Sequence, residues 1–476
     1  MRRFVSLAAH VSPAAFVLVF QMLAVACGLM VVGKLSPVTV PDTASYVEFP
    51  FSSWSAALGH LRTPGYPLFL SVVAWVTPDY SAAPLAHFSA YCLAVGLLYR
   101  GLRHVCPSPW QRMVISSSLL YSNILLGYVE TLATDTLAAA GGIAVTGLLM
   151  GRQTAPNEVS AGARWLKLFV LGVTLFATCL VRPAYLFLIV FVPLTGTLLS
   201  WLSERHGSNA ARPVWRAGLE LLAASVTPLL VYCALRWCVV GKFGLVAFGG
   251  FNLIGISGQW LDAGLLPNLP EASRPLAQRA LEYRQRLASS NAGSNDLTNY
   301  AQMEAQYDIT IWQVFHPAAR ELFGDDTRRT NTELRQLASA IVRARPKLYA
   351  TWLVKATRQA ARLLVSDFVR NPAYLLLTVA CVLMQLGSTL FGHRAAAQQQ
   401  TEIANAAEQG EVLFLVAVLY AALQLLLVIL VCPPLGRMTD AAAVLLPMVL
   451  AMVLANFLVT QNPSPEVKPP PVEGRP

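Results

Sequence analysis

Long apolar stretches alternate with short polar segments over most of this chain. A helix needs about 17 to 25 predominantly apolar residues to cross the hydrocarbon layer of a membrane. The pattern therefore predicts an all-α polytopic membrane protein with about ten transmembrane helices. They are predicted near residues 12–33, 83–99, 112–129, 134–150, 165–181, 184–202, 216–239, 372–391, 411–431 and 440–459.

The apolar piece 66–77 is too short to cross a membrane and is bracketed by prolines. A juxtamembrane or re-entrant helix packed on protein is predicted there. Counting it as a full span would invert every later loop. The remaining spans then divide the chain into a membrane module (1–254, with a first outer loop at 34–82), a mostly helical extracytoplasmic domain (255–365), C-terminal transmembrane helices (366–461) and a disordered Pro-rich tail (462–476).

The distribution of basic residues supports this topology. With a cytoplasmic N-terminus, the short cytoplasmic segments hold many more arginines and lysines than the opposite side, as the positive-inside rule expects. On the opposite side the short loops hold only Lys34, Arg62, Arg182 and Arg437. Topology thus explains the net charge of +10, and no basic patch with interleaved aromatics indicates a nucleic-acid partner. Only 13% of residues are charged, against about 25% in soluble domains.

An acid, Asp42, follows the first predicted span in "PDTASY". Two interpretations are open from its position. Asp is a favoured N-cap residue and can simply begin a helix at Thr43. An ionised Asp can also act as a general base that takes a proton from an incoming hydroxyl or amine.

A rigid turn, "HLRTPGYP", lies about twenty residues further on. Its prolines stiffen the backbone and would hold Arg62 at a fixed place near the membrane surface. A guanidinium there suits a lipid-linked phosphate, because its fork bonds two oxygens at once. The alternative is an arginine that snorkels to the interface without a ligand.

Taken together, these stretches resemble the GT-C integral-membrane glycosyltransferases, in particular the protein O-mannosyltransferase and aminoarabinose transferase-like group. The matching motifs are D-x-x-x-Y after the first span and R-x-P-G-Y-P, followed in order by "YVETLATDTLA", "LVRPAYLFL", "GFNLIGISGQW" and "PPLGRMTDAAAVLLP". Most of the membrane part is covered, whereas 265–345 resembles the family only weakly. Many relatives have a second acid directly after the first, where this chain has Thr43.

The resemblance implies a role for several positions. Asp42 matches the catalytic acid, and Asp135, or alternatively Glu130, matches an acidic position that lines the site. Arg62, Arg182 and Arg437 match groups near the donor phosphate. Tyr46, Tyr66, Glu130 and Asn252 are the candidate substrate-binding residues.

The implied enzyme is a hexosyl- or pentosyltransferase in a bacterial inner membrane, with both termini in the cytoplasm and the active site facing the periplasm. It would move a sugar, with inversion, from a polyprenyl-phosphate donor to a glycan, lipid or protein acceptor. No cofactor is implied, and Thr43 leaves a divalent metal doubtful. His60, His87, His104 and His316 lack metal-ligand spacing and are predicted to be packing or surface residues rather than metal ligands.

Three other functions remain open from the sequence. An O-antigen-ligase-like transferase would use a pyrophosphate-linked donor and carry more arginines in the large outer loop. A transporter or flippase for lipid-linked glycans would show an internal repeat or helix breaks in mid-membrane. A non-catalytic assembly subunit would leave Asp42 a helix cap.

Overall fold

The computed structural model describes residues 12–152, 160–205, 213–246, 248–290, 300–391 and 397–461. Helix dominates these ranges, and their β structure is limited to one parallel bridge between Val38 and Thr131. The predicted tail 462–476 lies outside the described residues. The predicted all-α class is confirmed.

Seven described helices are long and apolar enough to span a membrane, and each coincides with a predicted span. They are Pro13–Val31, Ala83–His104, Ala161–Val181, Pro183–Leu202, Val214–Val240, Gln409–Ile429 and Gly436–Phe457. An eighth candidate is the pair Pro346–Arg370 and Pro372–Leu386, which bends by 84°. The chain is therefore a multi-pass membrane protein.

The two other predicted spans differ from ordinary membrane helices. Asp135–Met150 has only 16 residues. The span predicted at 112–129 is broken: the helix Pro109–Ser118 gives way to a 3₁₀ turn and then to Asn123–Tyr128. Serines account for the break, because Ser118 Oγ donates to the Ile115 carbonyl at 2.7 Å and Ser122 caps the next helix. Such side-chain bonds compete with the helical ladder.

The first loop, residues 34–82, contains the predicted juxtamembrane helices. They are α1 (Thr43–Val47), α2 (Trp54–Gly59) and α3 (Gly65–Val76). The 12-residue α3 is too short to span, as predicted. We call the side of the membrane bundle that carries this loop the loop side.

A helical domain stands on the loop side between two spans. Its α-helices are Gly249–Ser257, Arg274–Ser290, Tyr300–Ile309, His316–Phe323 and Thr327–Ala344. A π-helical segment, Thr310–Phe315, joins two of them. The core of this domain also takes in Val428, Ile429 and Cys432 from the end of a membrane helix. The domain is thereby packed directly onto the bundle beside the first loop.

A buried arginine fastens the first loop to the bundle. Arg236, only 2% exposed, lies near the end of the membrane helix Val214–Val240. Its Nε donates to the Leu58 carbonyl at 2.7 Å, and its Nη1 donates to the Gly244 carbonyl at 2.9 Å. Hydrogen bonds from a charged donor are among the stronger ones in proteins. They fix α2, and with it the approach of the chain to Arg62.

Candidate functional site

Asp42 and Arg62 form the centre of a polar cluster on the loop side. Arg62 Nη2 donates to Asp42 Oδ1 at 2.6 Å, and Arg62 Nε donates to Ser45 Oγ at 3.0 Å. Ser45 Oγ in turn donates to the Asp42 carbonyl at 2.6 Å. Asp42 stands at the N-cap position of α1, which begins at Thr43, but its side chain makes no capping hydrogen bond. The carboxylate forms the ion pair with Arg62 instead.

The backbone before Asp42 is joined by hydrogen bonds to the turn that precedes Asp135. Val38 N donates to the Glu130 carbonyl at 2.8 Å, and Leu132 N donates to the Val38 carbonyl at 2.9 Å. Thr43 Oγ1 adds a hydrogen bond to the Leu132 carbonyl at 3.0 Å and accepts one from Val40 N at 2.9 Å. Thr43, at the position where many GT-C enzymes have a second acid, thus makes structural contacts here.

A second guanidinium reaches Asp42 from the opposite end of the sequence. Arg437 lies in α4 (Gly436–Ala442), and its Nη1 is 3.7 Å from Asp42 Oδ2. That distance is an ion pair without a good hydrogen bond. The Arg62 and Arg437 side chains are 27% and 36% exposed, respectively. Both guanidiniums therefore keep N–H donors that a ligand can reach.

Asp308, in the helical domain, also belongs to this cluster. Burial raises the pKa of its carboxyl, Arg437 opposes the rise, and the negative charge of Asp42 adds to it. Phe248 covers the cluster from the same domain, with its ring centroid 5.9 Å from the Arg62 guanidinium carbon. Phe248 lies two residues before the motif "GFNLIGISGQW", so the sequence pointed to this segment. Nothing in the sequence pointed to Asp308.

A second ion pair, between Asp135 and Arg182, is buried beside the first. Arg182 Nη1 donates to Asp135 Oδ1 and to Thr134 Oγ1, the latter at 3.3 Å. The Asp135 and Arg182 side chains are 2% and 11% exposed. Arg182 is therefore held by a buried partner, whereas Arg437 faces Asp42 at 3.7 Å without a good hydrogen bond.

Tyr46 links the two ion pairs. Its ring lies 5.0 Å below the Arg62 guanidinium carbon and packs edge-on against Tyr66 at 5.0 Å. Burial raises the pKa of the Tyr46 hydroxyl, and the positive charge of Arg62 opposes that rise. Tyr46 is thus neutral at physiological pH and can donate a hydrogen bond to an anionic ligand.

Two solved structures are similar to the chain over most of its length. They are ArnT from Cupriavidus metallidurans bound to undecaprenyl phosphate, with a TM-score of 0.35, and the same protein in the apo state, with a TM-score of 0.32. Each comparison has 15% identity and covers 94% of this chain and 78% of the other. No family model matches the chain, and no curated protein matches it. A likeness this distant decides nothing about activity, which must rest on the residues of this chain.

The other candidate residues have structural partners. Glu130 accepts from Lys34 Nζ at 2.5 Å. Tyr66 is fully buried, with its hydroxyl 3.2 Å from His87 Nε2. Asn252 Oδ1 accepts from the Tyr307 hydroxyl at 3.1 Å. Their assignment to substrate binding stays a prediction.

The described residues contain no group of three or more His, Cys, Asp or Glu side chains placed to hold a metal ion. His87 is buried, and its Nδ1 lies 3.1 Å from the Val129 carbonyl. His60 Nδ1 accepts from Arg62 N at 3.1 Å, and burial followed by the charge of Arg62 lowers its pKa. Both histidines therefore have packing or turn-forming partners.

Gly65 allows α3 to approach a membrane helix closely, which yields a first prediction. A Cβ at this position would lie 2.5 Å from the Leu180 carbonyl carbon and 2.6 Å from Val181 N. Backbone atoms cannot yield as a side-chain end can, so we expect Gly65→Ala to destabilise the protein by about 1–3 kcal/mol and to displace Arg62. Thermal unfolding in detergent measures the loss.

Gly96→Ala is the matched control for Gly65→Ala. Gly96 lies inside the membrane helix Ala83–Gly101, and a Cβ there meets no atom within 4 Å. We expect this change to leave stability unaltered or slightly higher, since alanine is the better helix former. Equal stability of the two variants would contradict the close approach at Gly65.

Proposed function

We propose that this chain is a glycosyltransferase of the GT-C type, which moves a sugar from a polyprenyl-phosphate donor to an acceptor on the extracytoplasmic face. One observation carries the proposal: a carboxylate is held between two partly exposed guanidiniums, Arg62 and Arg437, at the edge of a membrane bundle. A base beside a pair of phosphate ligands is what transfer from a lipid phosphate requires.

Asp42 acts as the general base in the proposed reaction. The acceptor hydroxyl or amine attacks the anomeric carbon of the donor sugar, and Asp42 takes its proton. The bond from that carbon to the phosphate oxygen breaks, so the configuration inverts and polyprenyl phosphate leaves. Arg62 and Arg437 stabilise the negative charge that develops on the leaving phosphate. A well-placed donor of this kind is worth about 3–4 kcal/mol in the transition state.

The ion pairs of Asp42 give donor binding a second consequence. Arg62 and Arg437 both face Asp42. A phosphate that binds the two guanidiniums competes with the carboxylate for them. Donor binding therefore frees the oxygens of Asp42 for the acceptor proton, and the base becomes available only when a donor is in place.

Asp135 and Arg182 enter this proposal as a pair. Because the two side chains are paired with each other, Arg182 acts on the donor only through its electrostatic field. It also supports the packing behind Tyr46. Tyr46 donates its hydroxyl hydrogen toward the donor phosphate or sugar. The reaction needs no metal in this form, since the guanidiniums supply the positive charge.

The donor-binding half of the proposal predicts a loss of affinity in Arg437→Gln. Removing a charge-assisted hydrogen bond costs about 1.5–3 kcal/mol, which corresponds to roughly 10- to 150-fold in affinity. Purified protein in nanodiscs is titrated with undecaprenyl phosphate and the bound lipid is counted by native mass spectrometry. Arg320→Gln is the control, because Arg320 is a 64% exposed arginine of the helical domain paired with Asp325.

Equal lipid affinity in wild-type protein and in both Arg437→Gln and Arg62→Gln would refute the phosphate site. Movement of a labelled lipid-linked sugar across the liposome membrane, without transfer of the sugar to an acceptor, would instead favour the flippase alternative. Loss of binding confined to the two site variants supports the proposal.

A further inference from the structure

A polar cavity lies on the loop side, next to the Asp42 cluster. Its volume is about 450 Å³, within the range of roughly 300–1,000 Å³ of small-molecule sites. It opens where the 84° bend between α5 (Pro346–Arg370) and α6 (Pro372–Phe391) meets α4 and the short helix Asn123–Tyr128. The polar groups that line it are Asn123, Tyr128, Asp367, Arg370 and Asp440.

The carboxylates of this cavity have unused hydrogen-bonding capacity. Asp367 Oδ2 accepts one hydrogen bond, from Thr439 Oγ1 at 3.2 Å. Asn123 and Tyr128 are hydrogen-bond partners of the Asp440 side chain, whereas Asp440 Oδ1 is buried without a donor. A buried carboxylate oxygen without a donor is unfavourable. The cavity is therefore lined by two carboxylates whose hydrogen-bonding capacity is only partly used.

The wall of the cavity is held rigidly by asparagines. Asn371 Nδ2 donates to Asn123 Oδ1 at 2.7 Å and to the Tyr121 carbonyl at 2.8 Å, while Asn371 Oδ1 caps α6. Asn123 Nδ2 donates to the Asp367 carbonyl at 3.0 Å. This network fixes the bend that brings Asp367 and Arg370 to the cavity. The site is thus largely formed before a ligand arrives, as small-molecule sites usually are.

The cavity adjoins the Asp42 cluster through α4. Arg437, which faces Asp42, and Asp440, which lines the cavity, are three residues apart on this helix, a rise of about 4.5 Å. Tyr128 lies within electrostatic range of Asp440, Arg437 and Asp135. A molecule in the cavity would therefore sit beside the phosphate-binding arginines without competing for them.

We infer that this cavity is the acceptor subsite and that it binds a hydroxylated sugar ring. Asp367 and Asp440 accept hydrogen bonds from ring hydroxyls or from a sugar ammonium, and Arg370 donates to ring and hydroxyl oxygens. A metal ion fits less well, because Arg370 repels cations and the described residues include no cluster of three metal-ligating side chains. The acceptor role rests on the proposed function, whereas sugar binding does not.

The test measures sugar binding and lipid binding on the same preparations. Full-length protein in nanodiscs is titrated with the methyl glycosides of glucose and glucosamine, followed by saturation-transfer NMR. We expect binding to the wild type with a dissociation constant of about 1–10 mM. Asp440→Asn and Arg370→Gln should weaken it roughly tenfold, with unchanged affinity for undecaprenyl phosphate. Arg370 is an exposed residue, so its variant is expected to fold.

Arg358→Gln is the matched control, since Arg358 is an exposed arginine three turns earlier on α5. Absence of glycoside binding to the wild type, or equal weakening by Arg358→Gln, overturns the inference. Glycoside binding that depends on Asp440 and Arg370 in a protein that does not bind polyprenyl phosphate would leave the sugar site standing and refute the proposed function. The reverse result would refute only the sugar site.

Discussion

Asp42→Asn is expected to lower sugar transfer by about 10²- to 10⁴-fold, the usual contribution of a general base. Asparagine keeps the shape and can still accept from Arg62, but it cannot take the acceptor proton at neutral pH. The affinity for undecaprenyl phosphate should be equal or higher, because the carboxylate no longer competes for Arg62 and Arg437. Transfer from a labelled polyprenyl-phosphate sugar is followed in membranes with matched protein levels.

Asp79→Asn is the control for this change. Asp79 is an exposed acid of the same loop, and its Oδ1 accepts only from Ser81. We expect normal transfer in this variant. A normal rate in Asp42→Asn would eliminate the base assignment. A slow rate combined with weaker lipid binding would point to a donor-binding role for Asp42 instead.

The spans were predictable because hydrophobic length is a one-dimensional signal. The break in 112–129 was not predictable, since it depends on hydrogen bonds that Ser118 and Ser122 make to the backbone in place of the regular helical pattern. A hydropathy average over a window does not detect single serines of this kind. The bend at Asn371 was unpredictable for a similar reason. Its side-chain amide donates a hydrogen bond to a backbone carbonyl 250 residues earlier in the chain.

The central residues of the site were predictable because they lie in recognisable sequence motifs. Asp42, Arg62 and Arg437 were each named from local sequence, and the structure brings the three together. Asp308 was missed because it lies in the helical domain that resembles the family only weakly. Its electrostatic interaction with Arg437 follows from the packing of that domain on the end of a membrane helix. Local sequence does not encode this long-range proximity.

Asp135→Asn is expected to destabilise the protein by about 3–5 kcal/mol, because it leaves the buried charge of Arg182 without an opposite charge. The free energy of unfolding in mixed detergent micelles measures the loss. Glu130→Gln breaks the Lys34–Glu130 pair, whose side chains are 34% and 20% exposed, and should cost no more than about 1 kcal/mol. The double variant Asp135→Asn/Arg182→Gln should be less destabilised than the sum of its single variants, since it removes both charges.

The same variants decide whether Asp135 also takes part in the chemistry, as the family resemblance implies. If the pair only supports the wall behind Tyr46, the double variant should regain transfer activity in proportion to its regained stability. If the pair acts on the substrate, through Asp135 or through the field of Arg182, transfer should stay low in the double variant even where stability returns. An Asp135→Asn protein as stable as the wild type would contradict the structural role, because an unpaired guanidinium that is 11% exposed cannot be accommodated without loss.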